Sequence, residues 1–328
     1  MKISISRNGQ WHDFLFEHIT QWCGQNIMLK RYYIDSLEYH FSSHKYSTEE
    51  SEMIDNIKIN NEFVGRKHIH VIRISDRKQL IAYMKLTKSS MLSVAIQERL
   101  KNIQLQKEVE IIEQSVQRIL GSINQSLEKR ISNIRLDYDP ADIWTMVQQT
   151  NVVTEKGRDL ETQDTVQLIR SFIEMINDTF FYLPEKIILI FENMDHYLSI
   201  QEYRKILKLA NEVAEKNDFY LLTATSLDGY VYISSENIEA VNIFNSDIFD
   251  LTDIDHLHVF LRLHWPYERS FTFEDIESFL SEIMHYIGKE KSLESTASRV
   301  LLKLLNKEFQ IKDKIKNPNL AEIRFLCD

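Results

Sequence analysis

Gly24-Gln25-Asn26-Ile27-Met28-Leu29-Lys30-Arg31 decides how this chain is read. The eight residues lie between a short strand-like run, His18 to Trp22, and a helical run, Ile27 to Phe41, whose Ile27, Ile34, Leu37 and Phe41 share one broad face. A loop that cradles phosphate at a strand-to-helix junction reads G-x-x-x-x-G-K-[ST]. Gly24 and Lys30 match that pattern in type and spacing. Leu29 stands where a second Gly would let backbone approach phosphate, and Arg31 where a hydroxyl would hold magnesium. The junction reads as a relic of a nucleotide loop or as a coincidence, and no bound nucleotide is expected.

Ile187-Ile188-Leu189-Ile190-Phe191-Glu192-Asn193-Met194-Asp195 is the second decisive stretch. An uninterrupted apolar run marks a strand covered on both faces of a parallel sheet. Glu192 and Asp195 at its exit resemble the acidic element that holds magnesium or orients water in nucleotide hydrolases. Acids at the end of a buried strand also reach solvent and cap the next segment, so both readings stand. A helix over 200–216 and a strand over 218–223 come next, an order that implies a right-handed crossover. Tyr230 to Ile233 and Val241 to Phe244 are expected to add edge strands. Near the start, Lys2 to Ser6 and His12 to Phe16 read as strands, as does Ile69 to Ile74.

Between these regions the periodicity changes. Leu92, Ile96, Leu100 and Ile103 begin a helical stripe, which Leu105, Val109, Ile112, Val116, Ile119, Ile123, Leu127, Ile131 and Ile134 continue in steps of three and four. One helix over 90–132 would be ~60 Å long at 1.5 Å per residue, longer than an ordinary domain is wide. It is expected to project as a leg, with a helix over 164–180 as its return partner.

Composition narrows the class. The chain has 328 residues, with only 7 Gly and 4 Pro, which disfavours turn-dense β-sandwiches and disordered scaffolds. Two distant cysteines, Cys23 and Cys327, cannot build a disulfide framework or a Cys-rich zinc site, so a reducing cytoplasm is the expected setting. No apolar run is long enough to span a bilayer, and no secretory signal is expected from 1–10. His68-x-His70 and His256-x-His258 lack the partners of a zinc site. The acidic groups Asp247, Asp250, Asp253, Asp255 and Asp137, Asp139, Asp142 lack the order of a calcium loop, so metal ligands stay unknown.

Charge is unevenly spread. The formal net charge is −10, which by itself argues against nucleic-acid binding. Yet 65–135 holds fourteen basic and six acidic residues, whereas 136–198 holds four basic and twelve acidic ones. Either the two arms of the leg pair with each other, or the basic arm is a phosphate-binding stripe. On the second reading Arg66, Lys67, Arg77, Lys78, Lys85 and Lys88 are the candidate DNA-binding residues.

The stretch Ile19 to Asn26, continuing through Leu29-Lys30-Arg31-Tyr32 to Phe41 and Lys45-Tyr46-Ser47-Thr48-Glu49-Glu50, resembles the long form of the type II-A CRISPR-associated adaptation protein. Asn193-Met194-Asp195, the inserted helical arm and the helical C-terminal region fit the same family. The resemblance implies a P-loop-derived head and a ring of four copies that binds double-stranded DNA ends during spacer acquisition in antiviral defence. It implies calcium as a support of the ring, no nucleotide hydrolysis, and the integrase proteins and effector nuclease of the same locus as partners, with no membrane.

The expected architecture is α/β: a degenerate P-loop-NTPase-like head formed by 1–86 and 185–255, an inserted coiled-coil leg over 87–184, and a helical C-terminal extension over 256–328. The expected function is non-catalytic DNA-end binding. The alternative is an active P-loop nucleotide hydrolase with a coiled-coil arm, in which Gly24, Lys30, Glu192 and Asp195 would be the working site instead of relics.

Overall fold

The computed structural model describes residues 1–87, 90–131, 134–137, 143–180, 186–227, 229–266, 270–288 and 295–311. The chain divides into two compact units, Met1–Arg77 with Glu185–Asp328, and Lys78–Pro184.

The first unit holds two sheets. Strands β1 (Lys2–Arg7), β2 (Gln10–Leu15), β4 (Ile57–Ile59) and β5 (Glu62–Phe63) form an antiparallel sheet in the order β2-β1-β4-β5. Asn8 and Gly9 both adopt positive φ, as a two-residue hairpin turn between β1 and β2 requires. Strands β3 (Ile19–Cys23), β6 (Ile69–Ile74), β7 (Lys186–Glu192), β8 (Phe219–Ala224), β9 (Val241–Phe244) and β10 (Ile248–Asp250) form the main sheet in the order β10-β9-β3-β8-β7-β6. All its pairings are parallel except β9 with β10. Ile187 to Phe191 of β7 are all buried, as an apolar run between two neighbouring strands demands.

Helix α1 (Ile27–His40) follows β3, and α7 (Ile200–Ala214) joins β7 to β8. Ser199 and Glu202 form a capping box that fixes where α7 begins. Tyr33 of α1 packs edge-on to Phe14 of the small sheet and to Trp22 of β3, so α1 links the two sheets through aromatic rings.

Two expectations are corrected in this unit. Val241 to Phe244 is an interior strand, because β10 pairs on its far side. Residues 230–233 form no strand. The buried Gln21 side chain bonds both the Tyr232 amide and its carbonyl, so that backbone is satisfied without a ladder. The short strands β4 and β5 escaped notice, since three and two residues leave almost no period to read.

Helices α8 (Ile254–His264), α9 (Phe273–Ile283) and α10 (Thr296–Glu308) complete this unit. Leu257, Leu261, Ile276, Leu280, Leu301 and Leu305 share one core with Cys23, Val241, Ile243 and Phe249. The helical C-terminal region is therefore built onto the β9–β10 side of the head.

The second unit contains α3 (Met91–Leu100), α4 (Ile103–Glu128), α5 (Ile143–Gln148) and α6 (Thr165–Thr179), and α2 (Arg77–Met84) leads into it. The single helix expected over 90–132 is two helices. The amides of Lys101 and Asn102 turn back three residues to Glu98 and Arg99, which tightens and ends α3, and the Gln106 side chain binds the Leu100 carbonyl. The return helix α6 packs against α3, burying Leu168, Ile169, Phe172, Ile173 and Ile176. Helix α4 is ~39 Å long. None of its described side chains is buried, and Ile111 and Ile119 are 52% and 60% exposed. Among the described residues no helix is long and apolar enough to cross a membrane.

Candidate functional site

The β3–α1 junction is folded as a closed circuit. Gly24 adopts φ +89, and a Cβ there would lie 2.4, 2.7 and 2.8 Å from the O, N and C atoms of Phe244. The glycine is needed because β9 passes against it, a reason unrelated to phosphate. The Gln25 amide donates to Asn245 Oδ1 at 2.8 Å, and the Asn26 amide donates to the Phe244 carbonyl at 2.9 Å. Asn26 caps α1 by accepting the Leu29 amide at 3.1 Å and donates from Nδ2 to the Asn245 carbonyl at 2.9 Å. Amides of this kind face the ligand in a phosphate loop. Here the strand end 244–245 takes them.

Lys30 is equally committed. Its ammonium is buried and donates to the Thr225 carbonyl at the end of β8, at 2.6 Å. Burial pulls its pKa below the ordinary lysine value, against the pull of nearby Asp195 and Glu192. Cys23 beside it has a thiol that burial pushes up to about 12, so it is a neutral packing group.

The two acids at the β7 exit have internal partners as well. Arg73 of β6 donates to Glu192 at 2.6 Å, to Asp35 at 2.7 Å and to Glu38 at 2.8 Å. Burial works against the charge of Arg73, and the three carboxylates outweigh it, holding the guanidinium above its ordinary range. Asp195 accepts the Ser226 amide at 3.1 Å and the Ser226 hydroxyl. Gly229 leaves room for this carboxylate, since a Cβ there would come within 2.5 Å of it.

Around these groups lies an open cavity of about 810 Å³, lined by Lys30, Arg31, Arg73, Glu192, Asp195 and Tyr230 among others. It sits beyond the carboxyl ends of β3, β7 and β8, where open α/β sheets place their ligands. Lys30, Glu192 and Asp195 thus line one cavity, each with a hydrogen-bond partner inside the chain, while Gly24 lies against Phe244.

Within the first unit, Arg66 and Lys67 precede β6 and Arg77 follows it, so they are separated by the length of the strand, ~17 Å. Arg66 donates to the His44 carbonyl at 3.0 Å and lies over the Tyr46 ring, holding the 42–50 loop. Lys67 and Lys78 are exposed. Lys85 pairs with Glu161 at 2.7 Å in the second unit. Lys88 lies outside the described residues.

Among the described residues no three or more His, Cys, Asp or Glu side chains are placed to hold a metal. Asp253 caps α8 and Asp250 bonds Asn242, so the 247–255 acids point to separate tasks. Asp139 and Asp142 of the other acidic group lie outside the described residues.

Sequence reasoning missed Asn245 and the role of Arg73. Asn245 is 2% exposed and also donates to the Ile287 and His285 carbonyls, tying the C-terminal region to the β3–α1 junction. A polar residue directly after the strand Val241–Phe244 was the available signal. Arg73 was counted only as one charge in a basic stretch, although a cation in the middle of an apolar strand calls for buried carboxylates.

The crystal structure of Stu0660 of Streptococcus thermophilus superposes on this chain with a TM-score of 0.86 at 21% identity, covering 100% of this chain and 99% of that one, and shows the fold. The structure of cbiO1 from Clostridium perfringens, part of the ABC transporter complex cbiONQ, aligns at 13% identity over 80% of this chain and 95% of that one, with a TM-score of 0.39 that assigns nothing. No curated protein matches the chain. The model of the family described as CRISPR-associated protein Csn2, subfamily St, matches residues 12–326, and the chain belongs to that family.

Proposed function

We propose that the protein is a non-catalytic, ring-forming factor of the cytoplasm that binds double-stranded DNA ends during CRISPR spacer acquisition, alongside the integrase proteins and effector nuclease of its locus. The observation that carries this reading is the state of the basic arm. Among the described residues it pairs with the acidic arm at four points, Arg73 with Glu192, Lys85 with Glu161, Arg99 with Asp178 and Arg135 with Asp137. Only the first is largely buried; the other three are half exposed or more, and exposed pairs contribute at most about 1 kcal/mol. Lys67, Lys78, Lys107, Arg118, Lys129 and Arg130 are exposed and have no carboxylate partner among the described residues. Cations left open in a −10 protein suit phosphate, and phosphate contacts need no base reading.

Ring formation draws on α4. An amphipathic helix with no buried side chain among the described residues exposes a stripe that a second copy would cover. The degenerate P-loop reading draws on the junction: Leu29 replaces the second Gly, the loop amides are used by 244–245, and Arg73 neutralises Glu192. These same facts weigh against the rival, an active nucleotide hydrolase. Calcium is kept as a proposed support of the assembly, without assigned ligands.

The test compares linear duplex with covalently closed circular duplex at two salt concentrations. A closed ring threads only from an end, so linear DNA should bind far better, and its affinity should fall steeply with salt. Lys67→Ala combined with Lys78→Ala should flatten the salt slope while leaving the assembly intact. Equal binding to both forms would rule out threading.

A further inference from the structure

We infer that the outer face of the small antiparallel sheet is a protein-docking site, where Trp11 and Phe63 flank Lys58 to receive an acidic side chain set among apolar ones on a partner protein. The inference deepens the proposed function, because it names a surface through which the other proteins of the locus would be held.

The pairing register puts these residues on one face. Trp11 lies opposite Ser6, Lys58 lies opposite Ser4, and Phe63 lies opposite Lys58. The alternate residues Ile3, Ile5, Phe14 and Ile57 point the other way into the core. Small serines on the central strand leave a low floor, over which the rings of β2 and β5 lean together with centroids 6.1 Å apart. The Lys58 ammonium sits 4.2 Å from the Trp11 ring centroid and 4.7 Å from that of Phe63.

The solvent face of an antiparallel sheet is ordinarily polar. Trp11 is 41% exposed and Phe63 65% exposed, and the core is complete without them. Lys58 has no carboxylate partner among the described residues. The acid on the same face, Asp13, is taken by Lys2 at 2.7 Å and Ser4 at 2.6 Å, and those bonds hold its carboxyl below the usual range.

Charge selects the occupant. A purely apolar surface would bury the Lys58 ammonium without a counter-charge, which is costly. A nucleic-acid strand brings one charge per nucleotide and needs a row of cations, whereas this face offers a single uncompensated one. One carboxylate flanked by apolar side chains satisfies both the ammonium and the rings. A Trp at the centre of such a patch is a common anchor of protein interfaces.

The experiment measures binding of the full-length protein to each purified integrase protein and to the effector nuclease of the locus, with wild type, Trp11→Ala, Lys58→Glu and Lys58→Arg. At least one of the three proteins should bind. Trp11→Ala and Lys58→Glu should each weaken it tenfold or more, while Lys58→Arg retains binding. The unfolding midpoints should stay near wild type, since both side chains are at the surface. Equal binding by all variants, or no binding to any of the three proteins, would overturn the inference. So would competition by an oligo-dT strand at the Trp11 fluorescence signal, which would make this a nucleic-acid surface. A smaller sedimenting mass for Trp11→Ala would overturn it too, by making the face a contact between copies. Loss of the linear-duplex preference with Lys58-dependent partner binding retained would sink the DNA reading alone.

Discussion

The β3–α1 junction and helix α4 treat their side chains in opposite ways. At the junction, Asn245, Phe244 and Thr225 take the groups that a phosphate loop would offer a ligand, and Arg73 takes the acid that would hold its metal. Along α4 nothing described is buried, and Leu105, Ile111, Ile112, Ile119 and Ile123 face solvent. One region is bonded within the chain, and the other leaves an apolar stripe uncovered among the described residues. The difference teaches that resemblance to a motif and availability of side chains are separate matters, since the junction's polar groups have partners inside the chain while the apolar groups of α4 have none described.

The contrast is broken most severely at Gly24. Gly24→Ala adds a Cβ into the Phe244 backbone at a positive φ, so we expect a loss of about 4 kcal/mol or more in urea unfolding. A loss under about 1 kcal/mol would mean that β9 does not press on the loop. Arg73→Met comes next. It leaves Glu192 as a largely buried carboxylate without its cation and Asp35 with only the 3.5 Å contact to Arg31, and should lower stability by about 3 kcal/mol. If the junction still had a ligand to wait for, magnesium or ATP would restore the loss, and the account predicts that neither does. Asn245→Ala should remove about 2 kcal/mol, because it strips the Gln25 amide and two carbonyls of the C-terminal helices of one shared partner. Hydrogen exchange should then speed up together at 24–26 and at 284–288, and independent behaviour of the two segments would separate them.

Much of the junction was legible in the sequence, because Gly24 and Lys30 keep a spacing that backbone geometry imposes, and β7 announces itself by an apolar run. Its closure was not legible. Asn245 lies 220 residues from Gln25, and no local pattern reports such a contact. The leg was legible as amphipathic helix but misread as one rod. The three-residue step from Leu100 to Ile103 continues the stripe smoothly, so only the backbone turn at Lys101 and Asn102 reveals the break. The basic stretch gave no placement for its charges, because residues close in sequence fall at opposite ends of β6.

At the small end of the scale lies α4 itself, where substitutions should barely touch the stability of one chain. Ile112→Lys with Ile119→Lys exposes no core and should change the unfolding free energy by no more than about 0.5 kcal/mol. Sedimentation of that variant beside wild type at micromolar concentration, with calcium and with a chelator, tests the central claim most directly. The account predicts a closed oligomer, of four copies, for wild type and a smaller species for the variant. A monomeric wild type under both conditions, or an unchanged oligomer in the variant, would contradict it.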